Sequence, residues 1–203
     1  MIIAIDGTSG SGKSTIAKEL SRSLRLELLN TGLLYRKLTQ YCLQNNIDFN
    51  DEENVVNAVL KTDFSDINKE NLHTEIISTN VPYYSKLPGV RAEIRKYQRN
   101  YAEGKSIIVE GRDIGTIVFP EADYKIYITA SLEERARRRI KELGNGYKIE
   151  EIMETLKKRD DQDSHRSTSP LRISENAKVI DTTSLSINEV VKKVISIIYN
   201  GDA

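Results

Sequence analysis

The 203-residue chain has little cysteine and histidine and no tryptophan. Cys42 is the only cysteine, so an intrachain disulfide is excluded. The two histidines, His73 and His165, are far apart in sequence and form no metal-ligand pattern. No apolar run approaches the length of a transmembrane helix, and a strand pattern from Ile2 onward leaves no room for a signal peptide. We therefore expect a cytoplasmic protein that does not bind a membrane.

An excess charge of one sign is also missing. The chain has 30 acidic and 30 basic residues, so no overall field favours nucleic acid or a membrane surface. Aromatic residues do not interleave with the basic ones, which argues further against a nucleic-acid partner. The length suits one α/β domain with small appendages.

The most informative pattern present is a glycine-rich phosphate loop. It fits G-x-x-x-x-G-K-[ST] and comprises Gly7, Thr8, Ser9, Gly10, Ser11, Gly12, Lys13, Ser14 and the following Thr15. An apolar β-branched run precedes it and a helical spacing follows it, a context that makes a chance glycine turn a poor alternative. The glycines let backbone N–H groups surround an anion, Lys13 can reach the β- and γ-phosphates, and the Ser14 hydroxyl can bind Mg²⁺.

The rest of the chain alternates between buried strand and helix patterns. The predicted strands are 2–5, 26–29, 106–110, 124–129 and 177–181, and the predicted helices are 13–24, 33–45, 90–103, 131–142, 149–160 and 186–199. This alternation predicts an α/β fold with a parallel sheet, in which ligands bind at the carboxyl ends of the strands.

Two polar segments interrupt the alternation. Residues 46–88 are weakly patterned, and residues 143–171 contain a turn signal at Gly144-Asn145-Gly146. Both are either surface insertions that close over a ligand or ordinary long loops.

Charged side chains follow the predicted strands. Thr31 is expected to cap the helix that starts near Leu33, with Tyr35 and Arg36 in its first turns. After the strand at 106–110, Arg112 offers a bidentate fork for phosphate and Asp113 can accept a hydrogen bond from a ligand. Glu110 ends that strand and could hold a Mg²⁺-bound water, although a salt-bridged surface turn is the alternative.

Arginines are concentrated on the helix that begins at residue 131. Arg135, Arg138 and Arg139 share one face, and lysine is absent from 131–140, which favours phosphate recognition over a solvated basic helix. A charged run at 159–166 then precedes the last strand, where it could lie over the phosphate loop.

These residues together resemble the bacterial cytidylate kinases, a family of P-loop nucleoside monophosphate kinases. The matching segments span almost the whole chain in order. They include the phosphate loop, Thr31-Gly32, Tyr35-Arg36, Val90-Arg91, Arg159-Asp160, Asp163, Arg166, Ser169-Pro170-Leu171 and the specific run from Gly111 to Pro120. The resemblance implies a P-loop kinase with a five-stranded parallel sheet flanked by helices. Its core would comprise 1–32, 104–134 and 172–203, with a monophosphate-binding insertion at 33–103 and a helical lid at 135–171.

The resemblance also implies an activity and its residues. The γ-phosphoryl group of ATP would pass, with Mg²⁺, to CMP or dCMP in a protein that is a monomer. Carried over by position, the acceptor site comprises Thr31, Tyr35, Arg36, Arg91, Arg112, Asp113 and Asp163, and the transfer residues are Lys13, Arg135, Arg139, Arg159 and Arg166. A kinase for another acceptor such as UMP, or a non-enzymatic nucleotide-dependent switch, are the alternatives.

The sequence departs from the family pattern at three places. Asn30 stands where an aspartate often precedes the Thr-Gly pair. Pro82 aligns with a serine that contacts cytosine in relatives, and a proline has no N–H donor. Residues 46–80 are shorter than the usual insert, which carries a small antiparallel sheet. These departures concern base recognition rather than the reaction.

Overall fold

The computed structural model describes residues 1–65, 67, 72–144 and 146–200, and for Asn200 the backbone alone. The chain forms two compact units. The first contains residues 1–29 and the chain from residue 104 onward, and the second contains residues 30–103.

A five-stranded sheet carries the phosphate loop. Its strands are β1 (Ile2–Gly7), β2 (Glu27–Asn30), β3 (Ile107–Glu110), β4 (Tyr124–Thr129) and β5 (Lys178–Asp181), in the order β2-β3-β1-β4-β5. The pairs β1–β3, β1–β4 and β4–β5 are parallel, with Ile5 opposite both Glu110 and Ile126. This confirms the predicted α/β fold with a five-stranded parallel sheet.

The described residues form eight α-helices and one short π-helix. The α-helices are α1 (Lys13–Leu24), α2 (Thr31–Gln44), α3 (Glu52–Lys61), α4 (Glu75–Ser85), α5 (Pro88–Ala102), α6 (Leu132–Leu143), α7 (Ile149–Ser164) and α8 (Ile187–Asn200). The π-helix spans Ile114–Val118. No helix in the described ranges is both long and apolar enough to cross a membrane.

The core of the first unit lies between the sheet and helices α1 and α8. Ile3 and Ile5 of β1 are fully buried against Leu20 of α1 and Val194 of α8. Burial of each such side chain contributes about 1.5–3 kcal/mol to folding. This packing holds β1 and α1 rigidly on either side of the loop that joins them.

The start of α2 corrects one prediction. Thr31 is the first helical residue rather than the cap, because Asn30 takes that position and its Oδ1 accepts a hydrogen bond from Leu33 N at 3.2 Å. An asparagine amide oxygen caps a helix as well as a threonine hydroxyl does. Thr31 itself is buried.

Residues 46–88 are also more ordered than predicted. They contain α3 and α4, which begin after the caps Asp51 and Thr74, and the described part of 46–80 contains no strand. Val55, Ala58 and Val59 supply the buried face of α3. The described part of this segment is therefore mostly helical, without the small antiparallel sheet of the family's usual insert.

The segment 143–171 contains one long helix. The predicted helix at 149–160 is present as α7, which continues to Ser164. Of the predicted turn, Gly144 and Gly146 have positive φ angles of 92° and 112°, and Asn145 lies outside the described residues.

Candidate active site

The phosphate loop has a backbone that requires glycine. Gly10 and Gly12 have φ angles of 74° and 89°, in the left-handed region, and Gly12 is the N-cap of α1. A Cβ atom on Gly7 would lie 2.0 Å from the carbonyl oxygen of Ile128, closer than any side chain tolerates. The loop therefore curls tightly before the amino end of α1, an arrangement that attracts anions.

Lys13 begins α1 and is buried within this loop. Its Nζ atom donates to the Thr8 carbonyl oxygen at 3.3 Å, and Lys13 as a whole is 8% exposed. Burial, together with the nearby positive charges of Arg112 and Arg159, lowers the pKa of Lys13 to about 7, against the opposing effect of Glu110 and Asp163. An anionic ligand placed beside Lys13 would favour the charged form of the ammonium, which burial and the two arginines disfavour.

Ser14 and Glu110 form a pair of oxygen ligands beside the loop. The Ser14 hydroxyl donates to Glu110 Oε1 at 2.8 Å, and Glu110 is buried at the carboxyl end of β3. Hydroxyl and carboxylate oxygens are the ligands that Mg²⁺ prefers. The described residues contain no cluster of three or more His, Cys, Asp and Glu that could hold a metal by themselves. The Ser14–Glu110 pair supplies two oxygen atoms, and a cation there would take its other ligands from phosphate and water.

Arg135 and Asp160 hold Ser9, the third residue of the loop. Arg135 Nη1 donates to the Ser9 carbonyl oxygen at 3.0 Å and to Asp160 Oδ2 at 2.5 Å. Asp160 Oδ1 in turn accepts from Ser9 N at 3.1 Å. The Ser9 backbone is therefore held on both sides, by α6 through Arg135 and by α7 through Asp160.

Arg138 holds the carbonyl of Ser11, two residues further along the loop. Its Nη1 atom donates to the Ser11 carbonyl oxygen at 3.1 Å, and its Nη2 atom donates to the Thr182 carbonyl oxygen at 2.7 Å. Arg139 differs from both neighbours, because its side chain is 45% exposed and pairs with Glu142 on the same helix. The three arginines predicted to recognise phosphate together thus have separate partners in this structure.

A second charged group follows β3. Asp163 accepts from Arg112 Nε at 2.9 Å and pairs with Arg166 Nη2 at 3.0 Å. Burial tends to raise the pKa of Asp163, but the two arginines outweigh it and hold the pKa below its usual value. Asp163 therefore stays ionised and fixes both guanidinium groups. Arg159 is exposed, one turn earlier on α7.

Asp113 is buried beside Arg112. The backbone of the two residues that follow it is held by Asp6, on β1. The Asp6 carboxylate accepts from Ile114 N at 2.9 Å and from Gly115 N at 2.8 Å. Burial raises the pKa of Asp6 to about 6, although these two N–H bonds lower it. Asp6 thus anchors the π-helix that starts one residue after Asp113.

The second unit contains the remaining predicted site residues. Arg91 is buried on α5, donates to the Tyr35 hydroxyl at 3.0 Å and lies over the Tyr35 ring, 5.3 Å from its centroid. Arg36 Nη1 donates to the Leu72 carbonyl oxygen and the Ser78 hydroxyl, both at 2.9 Å. The structure thus brings Arg91 and Tyr35 together, while Arg36 is held by other residues of its own unit.

Three residues with contacts at the loop or at the turn after β3, namely Asp6, Asp160 and Thr182, were given no role by the sequence prediction. Arg138 was predicted to recognise phosphate, whereas the structure shows it bonded to the loop backbone and to Thr182. Asp6 directly precedes the loop, and Asp160 and Thr182 follow predicted site residues or strands, so their positions at strand and helix ends were the available signal. The structure was needed to show which backbone atoms each of these residues contacts.

Comparison with known proteins identifies relatives over almost the whole chain. A family model described as "Cytidylate kinase" matches residues 3–200. A cytidylate kinase from Caldanaerobacter subterraneus is 47% identical over 95% of this chain and 92% of its own length. One from Clostridioides difficile is 42% identical over 97% of both chains.

Solved structures agree on the fold. A crystal structure of TT1252 from Thermus thermophilus has a TM-score of 0.55 and 19% identity, covering 100% of this chain and 98% of the other. Shikimate kinase from Bacteroides thetaiotaomicron has a TM-score of 0.54 and 14% identity, covering 98% of both chains.

Proposed function

The chain belongs to the cytidylate kinase family, and we propose that it transfers the γ-phosphoryl group of ATP to CMP or dCMP, giving ADP and CDP or dCDP. The observation that carries this proposal is the phosphate loop with its buried Lys13, in a chain that matches the family from residue 3 to residue 200. A kinase for UMP would share the phosphate loop and differ only in the base of the acceptor that it recognises. A non-enzymatic switch would not need the second group of arginines, which lies around Asp163.

ATP is assigned to the loop from Gly7 to Thr15. Backbone N–H groups of the loop and the amino end of α1 bind the phosphates, and the Lys13 ammonium compensates the charge that moves onto the β–γ bridging oxygen during transfer. A lysine that is already desolvated needs little solvent reorganisation at that moment. Its depressed pKa, about 7, rises when phosphate charge is placed beside it, so it is protonated when it acts.

Mg²⁺ is assigned to Ser14, with Glu110 acting through a bound water. The Ser14 hydroxyl would be a direct ligand, and the Glu110 carboxylate, 2.8 Å from it, would orient that water. When bound, the cation would neutralise phosphate charge, while Ser14 and Glu110 hold its position.

The acceptor is assigned in two parts. Arg36 and Arg91, with Thr31 and Tyr35, would bind the monophosphate group. Arg112 and Asp113 would recognise the cytosine edge, because a carboxylate accepts a hydrogen bond from the amino group of cytosine and repels the corresponding carbonyl of uracil. Asp163 would hold Arg112 and bind near the ribose.

Transfer itself needs positioning and charge compensation rather than a dedicated general base. The two nucleotides are aligned for in-line displacement, and the arginines assigned to the moving phosphoryl group are Arg135, Arg139, Arg159 and Arg166. All four lie within residues 135–171, which we assign as a lid that closes to exclude water. We further assign the protein to the cytoplasm, as a monomer that acts on small nucleotides and binds no nucleic acid.

A panel of acceptors tests the proposal. Initial rates are measured with ATP, Mg²⁺ and each of CMP, dCMP, UMP and AMP, by coupling ADP release to a dehydrogenase. We expect kcat/KM to be highest for CMP or dCMP, and at least tenfold higher than for UMP. A preference for UMP would replace the acceptor assignment, and ATP binding without turnover of any acceptor would favour the switch.

A further inference from the structure

Arg138 and Thr182 together surround one carbonyl group of the phosphate loop. The carbonyl oxygen of Ser11 lies 3.1 Å from Arg138 Nη1 and 3.2 Å from the Thr182 hydroxyl. Thr182 follows β5 and is 2% exposed, and its hydroxyl accepts from Arg138 Nη1 at 3.0 Å. The proposed function assigns neither residue to ATP or to the acceptor.

The Arg138 side chain is occupied almost fully by protein acceptors. Its Nε atom donates to Glu134 Oε1 at 3.0 Å, and its Nη2 atom donates to the Thr182 carbonyl oxygen at 2.7 Å. With the two bonds from Nη1, four of its five N–H groups are used. This geometry suits a group that holds the backbone, and leaves one N–H for any other partner.

Holding the Ser11 carbonyl determines where a neighbouring N–H points. In a trans peptide the carbonyl and the N–H of one unit point in opposite directions, so a Ser11 carbonyl directed at Arg138 and Thr182 directs the Gly12 N–H away from them. Gly12 is the N-cap of α1, with a φ of 89°, and no intrahelical acceptor exists for an N–H at that position. Such N–H groups are the ones that bind phosphate at a helix start.

We infer that Arg138 and Thr182 are positioning residues that preorganise the phosphate loop for ATP by fixing the Ser11–Gly12 peptide. The inference rests on the proposed function, because it takes the loop to be the ATP site. Thr182 is tied to the sheet through Thr129, whose carbonyl oxygen accepts from Thr182 N at 2.8 Å. The single proton of the Thr182 hydroxyl is shared between this carbonyl, at 3.0 Å, and the Ser11 carbonyl, at 3.2 Å. Through Thr182 the peptide is therefore connected to the end of β4, and through Arg138 it is connected to α6.

Four variants and one control test the inference by calorimetric titration with ATP, which needs no turnover. The variants are Arg138→Met, Arg138→Lys, Thr182→Val and the double variant Arg138→Met with Thr182→Val. The matched control is Arg137→Met, whose parent arginine is the preceding residue on α6, is 62% exposed and pairs with Glu133. Melting temperature and CMP affinity are measured alongside.

We expect Arg138→Met to weaken ATP binding on the order of tenfold and Thr182→Val by roughly threefold, with CMP affinity and the Arg137→Met control within about twofold of the parent protein. The double variant should be little weaker than Arg138→Met alone, because both side chains hold the same carbonyl and their effects should not add. Arg138→Lys should recover only part of the loss, since the lysine ammonium lacks the planar fork with which the arginine contacts Ser11 and Thr182 from two nitrogen atoms.

Three results would overturn the inference. Losses that multiply in the double variant would mean independent roles. Full recovery by Arg138→Lys with no effect of Thr182→Val would mean that the charge itself acts on ATP. Parallel losses of ATP and CMP affinity would mean general destabilisation. Because the readout is ATP binding, failure to phosphorylate CMP would refute the proposed function and leave this test intact.

Discussion

Replacing Lys13 with methionine should stabilise the nucleotide-free protein while abolishing transfer. The buried ammonium has its pKa lowered from 10.5 to about 7, so the folded state holds the proton less tightly than the unfolded chain does. Each unit by which the pKa in the folded state lies below that in the unfolded state costs about 1.4 kcal/mol while the group is protonated. At pH 6.5 the buried ammonium therefore lowers the free energy of unfolding by about 5 kcal/mol. Loss of the bond from Lys13 to Thr8 offsets about 1 kcal/mol, which leaves a gain of about 4 kcal/mol for the methionine variant.

The lowered pKa of Lys13 also determines how the effect of Lys13→Met changes with pH. Between pH 7 and pH 10.5 the unfolded chain binds a proton at Lys13 that the folded protein does not, so the stability of the parent protein rises with pH across that window. The advantage of Lys13→Met should therefore be greatest below pH 7 and shrink by about 2–3 kcal/mol at pH 9.

Two measurements on the same variant check both halves. Thermal denaturation without nucleotide should show a higher melting temperature than the parent protein at pH 6.5 and a smaller difference at pH 9. The coupled assay should show kcat reduced at least 10²-fold, because a charge that acts mainly in the transition state is lost. A variant that melts below the parent protein at pH 6.5, or a difference independent of pH, would refute the burial argument. Normal turnover would refute the role of Lys13.

Three further predictions concern base recognition, the loop and the lid. Asp113→Asn should narrow the CMP/UMP ratio of kcat/KM, measured with the two acceptors under identical conditions, and an unchanged ratio would show that Asp113 does not contact the base. Gly7→Ala should lower the free energy of unfolding, measured by urea denaturation, by roughly 1–3 kcal/mol, because the added methyl group would clash with the Ile128 carbonyl oxygen. An unchanged free energy of unfolding would mean that β4 can shift to accommodate the methyl group. Hydrogen exchange across 135–166 should slow when a bisubstrate analogue is added. Equal protection with and without it would mean that this segment is not a lid.

The sheet and the phosphate loop were predictable because their determinants are local. The strands β1 and β3 are short apolar runs, and the loop is a contiguous pattern of glycines followed by Lys13 and Ser14. A parallel arrangement then follows from the alternation with helices. The family resemblance rests on the same contiguous segments.

Other features depended on choices between neighbours or on distant contacts. Asn30 and Thr31 are both residues that cap helices well, and only the backbone conformation in the structure shows that Asn30 is the N-cap. The helix α3 was missed even though Val55, Ala58 and Val59 have helical spacing, because polar residues dominate around them. The contact between Arg138 and Thr182 joins residues 44 positions apart, which no local pattern reveals.

The central claim is that this chain moves the terminal phosphoryl group of ATP onto CMP at the loop that contains Lys13. Its most direct measurement incubates the protein with CMP, Mg²⁺ and ATP labelled on the γ-phosphate, and separates the nucleotides by chromatography. We expect label to appear in CDP with the parent protein and to be absent with Lys13→Met. Label released as inorganic phosphate alone, or labelled CDP formed equally well by the variant, would contradict this claim.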